Sequence, residues 1–467
     1  MKTQNKNFLY NAIYQIFIFI IPFVTTPYVS RVLGVNNVGI YSYTYSIVYY
    51  FMLFSMLGIN NYGSREIAKC SSKEECSLKF KSIYFLQLFL NILSIILYVI
   101  FLIFFNFEYK SIMVIQIIFL LSVAFDINWF FFGKEKFKIT ITRNIIIKLF
   151  SLVLVFLFVK TKNDLWKYTI IMSTSTLFSQ VYLWPFLLKE IKYVKVRIND
   201  VFLHLKPCLI LFIPVISYSI YRVMDKTMIG SISNTIELGN YESAEKIINI
   251  PISFITALGT VMLPHMSKKN ETDIRNSILS TFELTFFIIL PMIIGLLVIS
   301  TDFSNLFFGN EFTETSIIIK ILLSTVLFSS ISNVIRTNYL IPLKKDNIYI
   351  ISTIIAAIVN LVLNIIFIPK FGAYGACLGT ICAEFILMFY QVLKSKKFIC
   401  YDKVLLVLMR YIVKSLIMGI CIFVLGIFVT NIFVKLIIQF IVGVTIYCLL
   451  NINYIKFDFL GKKKYNS

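Results

Sequence analysis

Apolar residues in this chain come in long blocks, and the polar residues that separate them come in short ones. A bilayer's hydrocarbon core is about 30 Å thick and takes roughly 20 helical residues to cross. Measured against that length, the blocks predict spanning helices over 8–29, 38–60, 80–105, 111–132, 143–159, 167–188, 205–230, 245–266, 278–300, 315–341, 347–368, 373–393, 405–429 and 434–451, fourteen in all. The expected fold is an all-α polytopic membrane protein.

The block over 205–230, LKPCLILFIPVISYSIYRVMDKTMIG, departs from the pattern. It is long enough to cross, yet its second half holds Arg222, Asp225 and Lys226. An Arg or Lys at the centre of a spanning helix is disfavoured by about 2.5–3.5 kcal/mol, so such charges face a partner, a wet cavity or a substrate. Pro207 and Pro214 each remove a backbone donor, which a bilayer tolerates only where neighbouring helices or water satisfy the freed carbonyls. The segment reads as a cavity wall. For Asp225 and Lys226 a second reading stays open, a place near the outer end from which they reach headgroups.

The first block shares the oddity, with Pro22 and Pro27 inside it and Arg31 at its outer end. The likeness continues downstream: RVLG and GIYSY follow the first block as DKTMIG and GNYESAEK follow the seventh, and LGINNYGSREIAK answers LGTVMLPHMSK. The separations Gly39–Gly58 and Gly239–Gly259 agree to within one residue. This is the pattern of an internal repeat of about two hundred residues. An even number of helices precedes the second copy, so the copies share an orientation and are related by an axis along the membrane normal, with a transport site expected between them.

Six further ionisable residues stand out inside or beside spans. Asp126, in FDINWFFFGKEK, and Lys148 form either a charge pair or part of an inner mouth. Glu384 is the most deeply placed carboxylate, suited to proton coupling or to pairing with an intramembrane cation. Arg336 lies near the inner end of its helix. Arg410 and Lys414, in the last pair of helices, are expected to reach anionic lipid at the cytoplasmic surface.

Composition agrees with this class: 58% of the 467 residues are hydrophobic and 14% charged, with mean hydropathy +0.84, which a soluble domain of this size would not carry. The net charge of +21 could suit a polyanion, so its distribution matters. Most of the Lys and Arg outside the spans fall in the N-terminal tail, in 61–81, 133–143, 189–206, 267–277, 342–347 and 394–404, and in the C-terminal tail. These alternate with poorly charged loops, which places both termini in the cytoplasm and leaves no charge that calls for nucleic acid. The first helix is too long for a signal-peptide core and lacks a cleavage pattern, so it is expected to be retained. The eight cysteines show neither CxxC spacing nor a neighbouring His, so neither disulfides nor a metal is expected. No P-loop, GxSxG or HExxH is present, the only histidines are His204 and His265, and no loop is long enough for a catalytic domain. The expectation is a transporter that needs no cofactor, not an enzyme.

The sequence PYVSRVLG with GIYSY, GKEKFK, MDKTMIG with GNYESAEKI, VMLPHMSK, LFFGNEF, and YLIPLKKDN with NLVLNIIFIPKFGAYGACLGTICAE resembles, in order, the polysaccharide transporters of the MOP superfamily. Within them it is most similar to Wzx-type flippases, over about residues 8–395. The resemblance implies two six-helix lobes, 1–200 and 201–397, a terminal helix pair with a basic cytoplasmic tail over 398–467, and alternating access. It further implies an oligosaccharide repeat unit on undecaprenyl diphosphate, moved from inner to outer leaflet of a bacterial cytoplasmic membrane for capsule or O-antigen synthesis, with polysaccharide polymerase and chain-length machinery as candidate partners. A diphosphate cannot cross hydrocarbon unaided, and each cation in a wet cavity offsets that cost by about 4 kcal/mol at contact for an effective dielectric near 20. Arg222 is the expected leading phosphate contact, with Arg31, Lys226 and Arg336 beside it, and Asp225, Glu384, Asp126 and Lys148 are the candidates for coupling or charge pairing. Two alternatives are a small-molecule or multidrug exporter of the same superfamily, which would want an acidic cavity, and a membrane polysaccharide polymerase, which the short outer loops oppose.

Overall fold

The computed structural model describes residues 2–266 and 270–455; the side chains of residues 2–20 and of a few positions in 213–276, Arg222 and His265 among them, lie outside the description. Among the described residues every regular element is helical. Eight helical stretches are long and apolar enough to cross a membrane, which makes this a multi-pass membrane protein. By internal packing the chain divides into two compact units, 1–239 and 240–467.

The first unit begins with α1 (Lys2–Met56), which covers the first two expected spans. They are separated not by a loop but by a single break at Gly34, whose φ of 80° is left-handed and open to glycine at no steric cost. Then come α2 (Ile59–Ala68), α3 (Lys73–Phe104), α4 (Lys110–Ile115), α5 (Ile117–Ala124), α6 (Asn128–Gly133), α7 (Phe137–Phe158), α8 (Leu165–Val181), α9 (Trp184–Leu188), α10 (Ile198–Phe202) and α11 (Leu205–Ile232).

The span expected over 111–132 is not one helix but three pieces, α4 to α6. Broken helix is tolerated at membrane depth only if its freed backbone groups find donors inside the protein. Here they do. Gln87, Asn91 and Tyr98 form one stripe of α3, spaced four and seven residues apart as neighbours on a helix face must be. The Gln87 amide donates to the carbonyls of Val123 (2.7 Å) and Asp126 (2.8 Å), and its oxygen accepts from the Trp129 indole (3.0 Å). Asn91 donates to Leu120 O (2.9 Å) and the Tyr98 hydroxyl to Met113 O (3.0 Å). Trp184 donates to Phe125 O (3.1 Å), which closes the last gap from α9.

The second unit holds most of α12 (Thr235–Met266), then α13 (Glu271–Phe308), α14 (Thr315–Ile335), α15 (Asp346–Ser395), α16 (Tyr401–Phe428) and α17 (Ile432–Leu450). Like α1, α15 joins two expected spans through a single left-handed glycine, Gly372, at φ 52°. The helix α13 is the spine on which the terminal pair is fixed. Arg410 of α16 is ion-paired with Glu283, whose carboxylate also accepts from the Tyr411 hydroxyl (3.2 Å). Lys435 of α17 pairs with Asp302 at 2.6 Å, and Tyr447 donates to Phe287 O at 2.9 Å. Lys414 donates to Asn451 at 2.9 Å. Arg410 and Lys414 therefore hold helices together, because acceptors on α13 and at the end of α17 lie within their reach.

Candidate functional site

Within the first unit, α11 and the start of α12 pack against the second half of α1 at two levels. At the upper level the contact is reciprocal. A Cβ built on Gly39 would stand 1.7 Å from Thr235 O, and one on Gly239 would stand 2.0 Å from Val35 O. The Thr235 hydroxyl donates to Asn36 Oδ1. Val35 and Gly39 recur two hundred residues later as Thr235 and Gly239, so each copy of the segment lays its glycine on the other's backbone. The two contacts are the same approach with the roles of the segments exchanged.

At the deeper level Gly230 receives the ring of Tyr43, and Thr227 donates to Ser46 Oγ at 2.9 Å. The Tyr50 hydroxyl lies beside Thr227 and near the Asp225 carboxylate. Asp225 is only 4% exposed, so the headgroup reading fails for it. Lys226 beside it is half-buried, Arg31 on α1 is exposed, and both have interacting partners. Arg222 is on α11, and its side chain lies outside the described residues.

Asp126 has a different neighbour from the one expected. Its carboxylate accepts from the backbone N–H (3.0 Å) and side-chain amide (2.7 Å) of Asn128, which caps the start of α6. The cation facing it is Arg143, not Lys148. Arg143 is 4% exposed and donates to Asn144 Oδ1 (2.7 Å) and Gln180 Oε1 (3.3 Å), and that oxygen also accepts from Asn128 (3.1 Å). Lys148, more than one turn further along α7 and half-buried, is not joined to Asp126. In the sequence Arg143 ends a basic run and reads as a loop residue, whereas the fold begins α7 at Phe137 and draws Arg143 inside.

In the second unit Arg336 opens a π-helical turn, Arg336–Leu340, closed by the bond from Ile341 N to Arg336 O at 3.0 Å. Such turns widen a helix by one residue and are frequent at functional sites. The guanidinium lies 5.5 Å from the Tyr349 ring centroid and donates weakly to its hydroxyl at 3.5 Å. Its Nε is buried with no hydrogen-bond partner among the described residues. An arginine has five donors in a fixed fork, so most of this one's capacity is uncommitted. Glu384, on the second half of α15, is half-buried and has partners of its own. One turn before it, Thr380 lies 3.4 Å from the Tyr241 hydroxyl. Among the described residues no group of three or more His, Cys, Asp or Glu side chains could hold a metal ion.

On the cytoplasm-facing basic side expected from the sequence, His204 sits at the start of α11 with both ring nitrogens engaged, Nδ1 with the Tyr62 hydroxyl (2.7 Å) and Nε2 with Ser82 Oγ (2.8 Å). Burial holds its pKa below the ordinary 6.5, against the pull of Glu66 and Asp200 and with the push of Lys79.

Comparison with known proteins adds what geometry alone does not. The family model described as "Polysaccharide biosynthesis protein" matches residues 5–270. The chain belongs to the polysaccharide biosynthesis protein family. This agrees with the resemblance that the ordered motifs carry. A second model, "Lipid II flippase MurJ", matches residues 181–443. Among curated relatives in or near the family, a protein of Escherichia coli (strain K12) named as an O-antigen transporter is 24% identical over 85% of this chain and 99% of its own. "Capsular polysaccharide biosynthesis protein CapF" of Staphylococcus aureus is 24% identical over 82% and 96%. Among solved structures, lipid II flippase MurJ in an inward closed conformation superposes with a TM-score of 0.81 at 20% identity, over 96% of this chain and 99% of that one. An inward-facing multidrug resistance MATE transporter of the MOP superfamily gives 0.62 at 14% identity, over 81% and 93%. Both show a shared fold.

Proposed function

We propose that the protein is a flippase that carries undecaprenyl-diphosphate-linked oligosaccharide repeat units from the inner to the outer leaflet of a bacterial cytoplasmic membrane, for capsule or O-antigen synthesis. The observation that carries this reading is the match, along nearly their whole length, to relatives named for O-antigen transport and capsular polysaccharide synthesis. It is a transporter and catalyses no bond chemistry. In this reading the chain crosses fourteen times with both termini in the cytoplasm, its lobes are 1–200 and 201–397 with the terminal pair over 398–467, and alternating access exposes a cationic cavity to each side in turn.

The diphosphate is the part of the cargo that hydrocarbon rejects most strongly. Arg336 supports a role in holding it, because its fork is half-buried, faces an aromatic ring and keeps a buried donor unused. Arg222, Arg31 and Lys226 are proposed as further phosphate contacts. Asp225 and Glu384 are proposed as coupling groups, while Asp126 and Arg143 are assigned to holding α6, α7 and α8 together, with Lys148 nearby. Movement of negative charge outward is favoured by an inside-negative potential by about 2.3 kcal/mol per charge per 100 mV. A drug exporter of the same fold would favour acidic cavity groups, and the intramembrane charges here lean basic.

The test is flipping of undecaprenyl-diphosphate oligosaccharide in proteoliposomes by the wild type, Arg336→Gln and Arg222→Ala. The wild type should flip, and each variant should lose at least tenfold in rate while inserting normally. Folded wild type that moves no lipid-linked glycan would refute the function, and variants as fast as the wild type would refute the site.

A further inference from the structure

Residues 189–206, between α9 and α11, are laid down the side of α3 with a measurable slope. Near their start Lys73 Nζ donates to Lys189 O (2.9 Å), and Lys192 N donates to Ser77 Oγ (2.9 Å). A turn lower on α3, Lys81 Nζ donates to Val194 O (3.0 Å) and sits 4.2 Å above the Tyr193 ring. At the far end Phe202 of α10 meets Phe89 edge to face at 5.8 Å. From Ser77 to Phe89 is about 18 Å along a helix axis at 1.5 Å per residue. The segment therefore runs beside the charged first turns of α3 and sends the Phe202 ring to the level where α3 exposes Phe85, Phe89 and Ile92, before His204 returns to Ser82. That stretch of α3 is part of an apolar span.

Around Phe202 the segment turns its own apolar side chains outward. Ile198 is 74% exposed and Leu203 70%, with Phe202 between them on the outer side as well. The charges around them are sorted by sign. The acids are taken: Glu190 pairs with Lys136 at 2.6 Å, and Asp200 accepts from Arg197 N at the start of α10. Lys195 has no hydrogen-bond or ion-pair partner among the described residues, and Arg197 and Lys206 are exposed. Large apolar side chains immersed beside an uncommitted basic set is the arrangement that binds an interface carrying negative headgroups.

We propose that residues 189–206 are a strap that binds acidic glycerophospholipid, with Ile198, Phe202 and Leu203 among the acyl chains and Lys195, Arg197 and Lys206 at the headgroup phosphates. The strap leads directly into α11, so the lipid grips the chain at the start of the helix that carries Arg222, Asp225 and Lys226. Acidic lipid is thus a specific ligand of this surface and not merely its solvent. The inference rests on the membrane location of the chain and not on the identity of its cargo.

The test counts lipids retained by the full-length purified chain in native mass spectrometry, after equal exposure to dioleoyl-phosphatidylglycerol and dioleoyl-phosphatidylcholine. The wild type should retain phosphatidylglycerol preferentially. A variant combining Lys195→Gln, Arg197→Gln and Lys206→Gln should lose that preference by about a hundredfold in affinity, near fivefold per basic residue, with unchanged elution and thermal midpoint. The variant Ile198→Ser with Leu203→Ser should weaken both lipids. Soluble glycerol 3-phosphate should not displace the bound lipid. Retention of phosphatidylglycerol by the triple variant as by the wild type, a wild type indifferent to headgroup charge, or displacement by glycerol 3-phosphate would each overturn the proposal.

Discussion

Replacing Gly39 with alanine adds one carbon where the structure has none to spare. The new Cβ would lie 1.7 Å from Thr235 O, against the roughly 3.2 Å that an unstrained contact needs, and the obstacle is backbone that cannot rotate away. Relief needs a separation of about 1.5 Å between the second half of α1 and the start of α12, which also breaks the bond between Thr235 and Asn36. Overpacking in a close-packed interior costs about 1–3 kcal/mol, and a lost buried hydrogen bond adds about 1 kcal/mol. Since 1 kcal/mol shifts the midpoint of a domain of this size by about 2–4 °C, the expected fall is about 4–16 °C. Gly239→Ala should cost a similar amount, as its Cβ would meet Val35 O at 2.0 Å. The double variant should cost less than the sum, because separating the two backbones once relieves both clashes. Gly295→Ala is the control: its nearest neighbour is Met418 Cε at 4.0 Å, and alanine is the better helix former. Fluorescence-detected elution of heated detergent-solubilised protein reads all four variants. Midpoints for Gly39→Ala and Gly239→Ala within 1 °C of the wild type, or a Gly295→Ala protein equally destabilised, would refute the reciprocal contact.

Three further outcomes are expected. Gln87→Leu leaves the Trp129 indole without its acceptor and strips the Val123 and Asp126 carbonyls of their side-chain donor, which should cost about 1–3 kcal/mol in denaturant titrations even though Leu matches the apolar surroundings. For His204, whose folded pKa is lowered by burial, the unfolded chain takes up a proton first as pH falls, so stability is full above about 6.5 and declines below it; the midpoint measured from pH 8 to 5 should drop in the wild type and flatten in that window for His204→Gln, and identical profiles would discard the assignment. Asp302→Asn leaves the Lys435 ammonium of α17 without its carboxylate; α17 should then be cleaved by protease faster than in the wild type, whereas Asp302→Asn paired with Lys435→Gln should recover much of the protection.

The sequence by itself determined the class, the helical content and the recurrence of one motif, because hydrocarbon thickness admits only apolar blocks of a certain length and the second copy repeats the prolines, glycines and charges of the first. The positions Gly39 and Gly239, matched by spacing alone, prove to be the places where two backbones touch. The sequence could not show that they touch each other, since a repeat fixes what two segments have in common and not which faces meet. It could not divide 111–132 into α4, α5 and α6 either, because scattered polar residues such as Gln116 and Asp126 do not by themselves end a helix and the donors that permit its breaks are supplied by α3 and α9. Charges were the least legible. Proximity along the chain suggested Lys148 for Asp126, but helix packing brings Arg143 there through Asn128 and Gln180. Arg410 and Lys414, apparently free to reach lipid, are captured by Glu283 and Asn451. A charge in a membrane is stabilised by whatever lies within a few ångströms of it, and that neighbourhood exists only once the helices have packed.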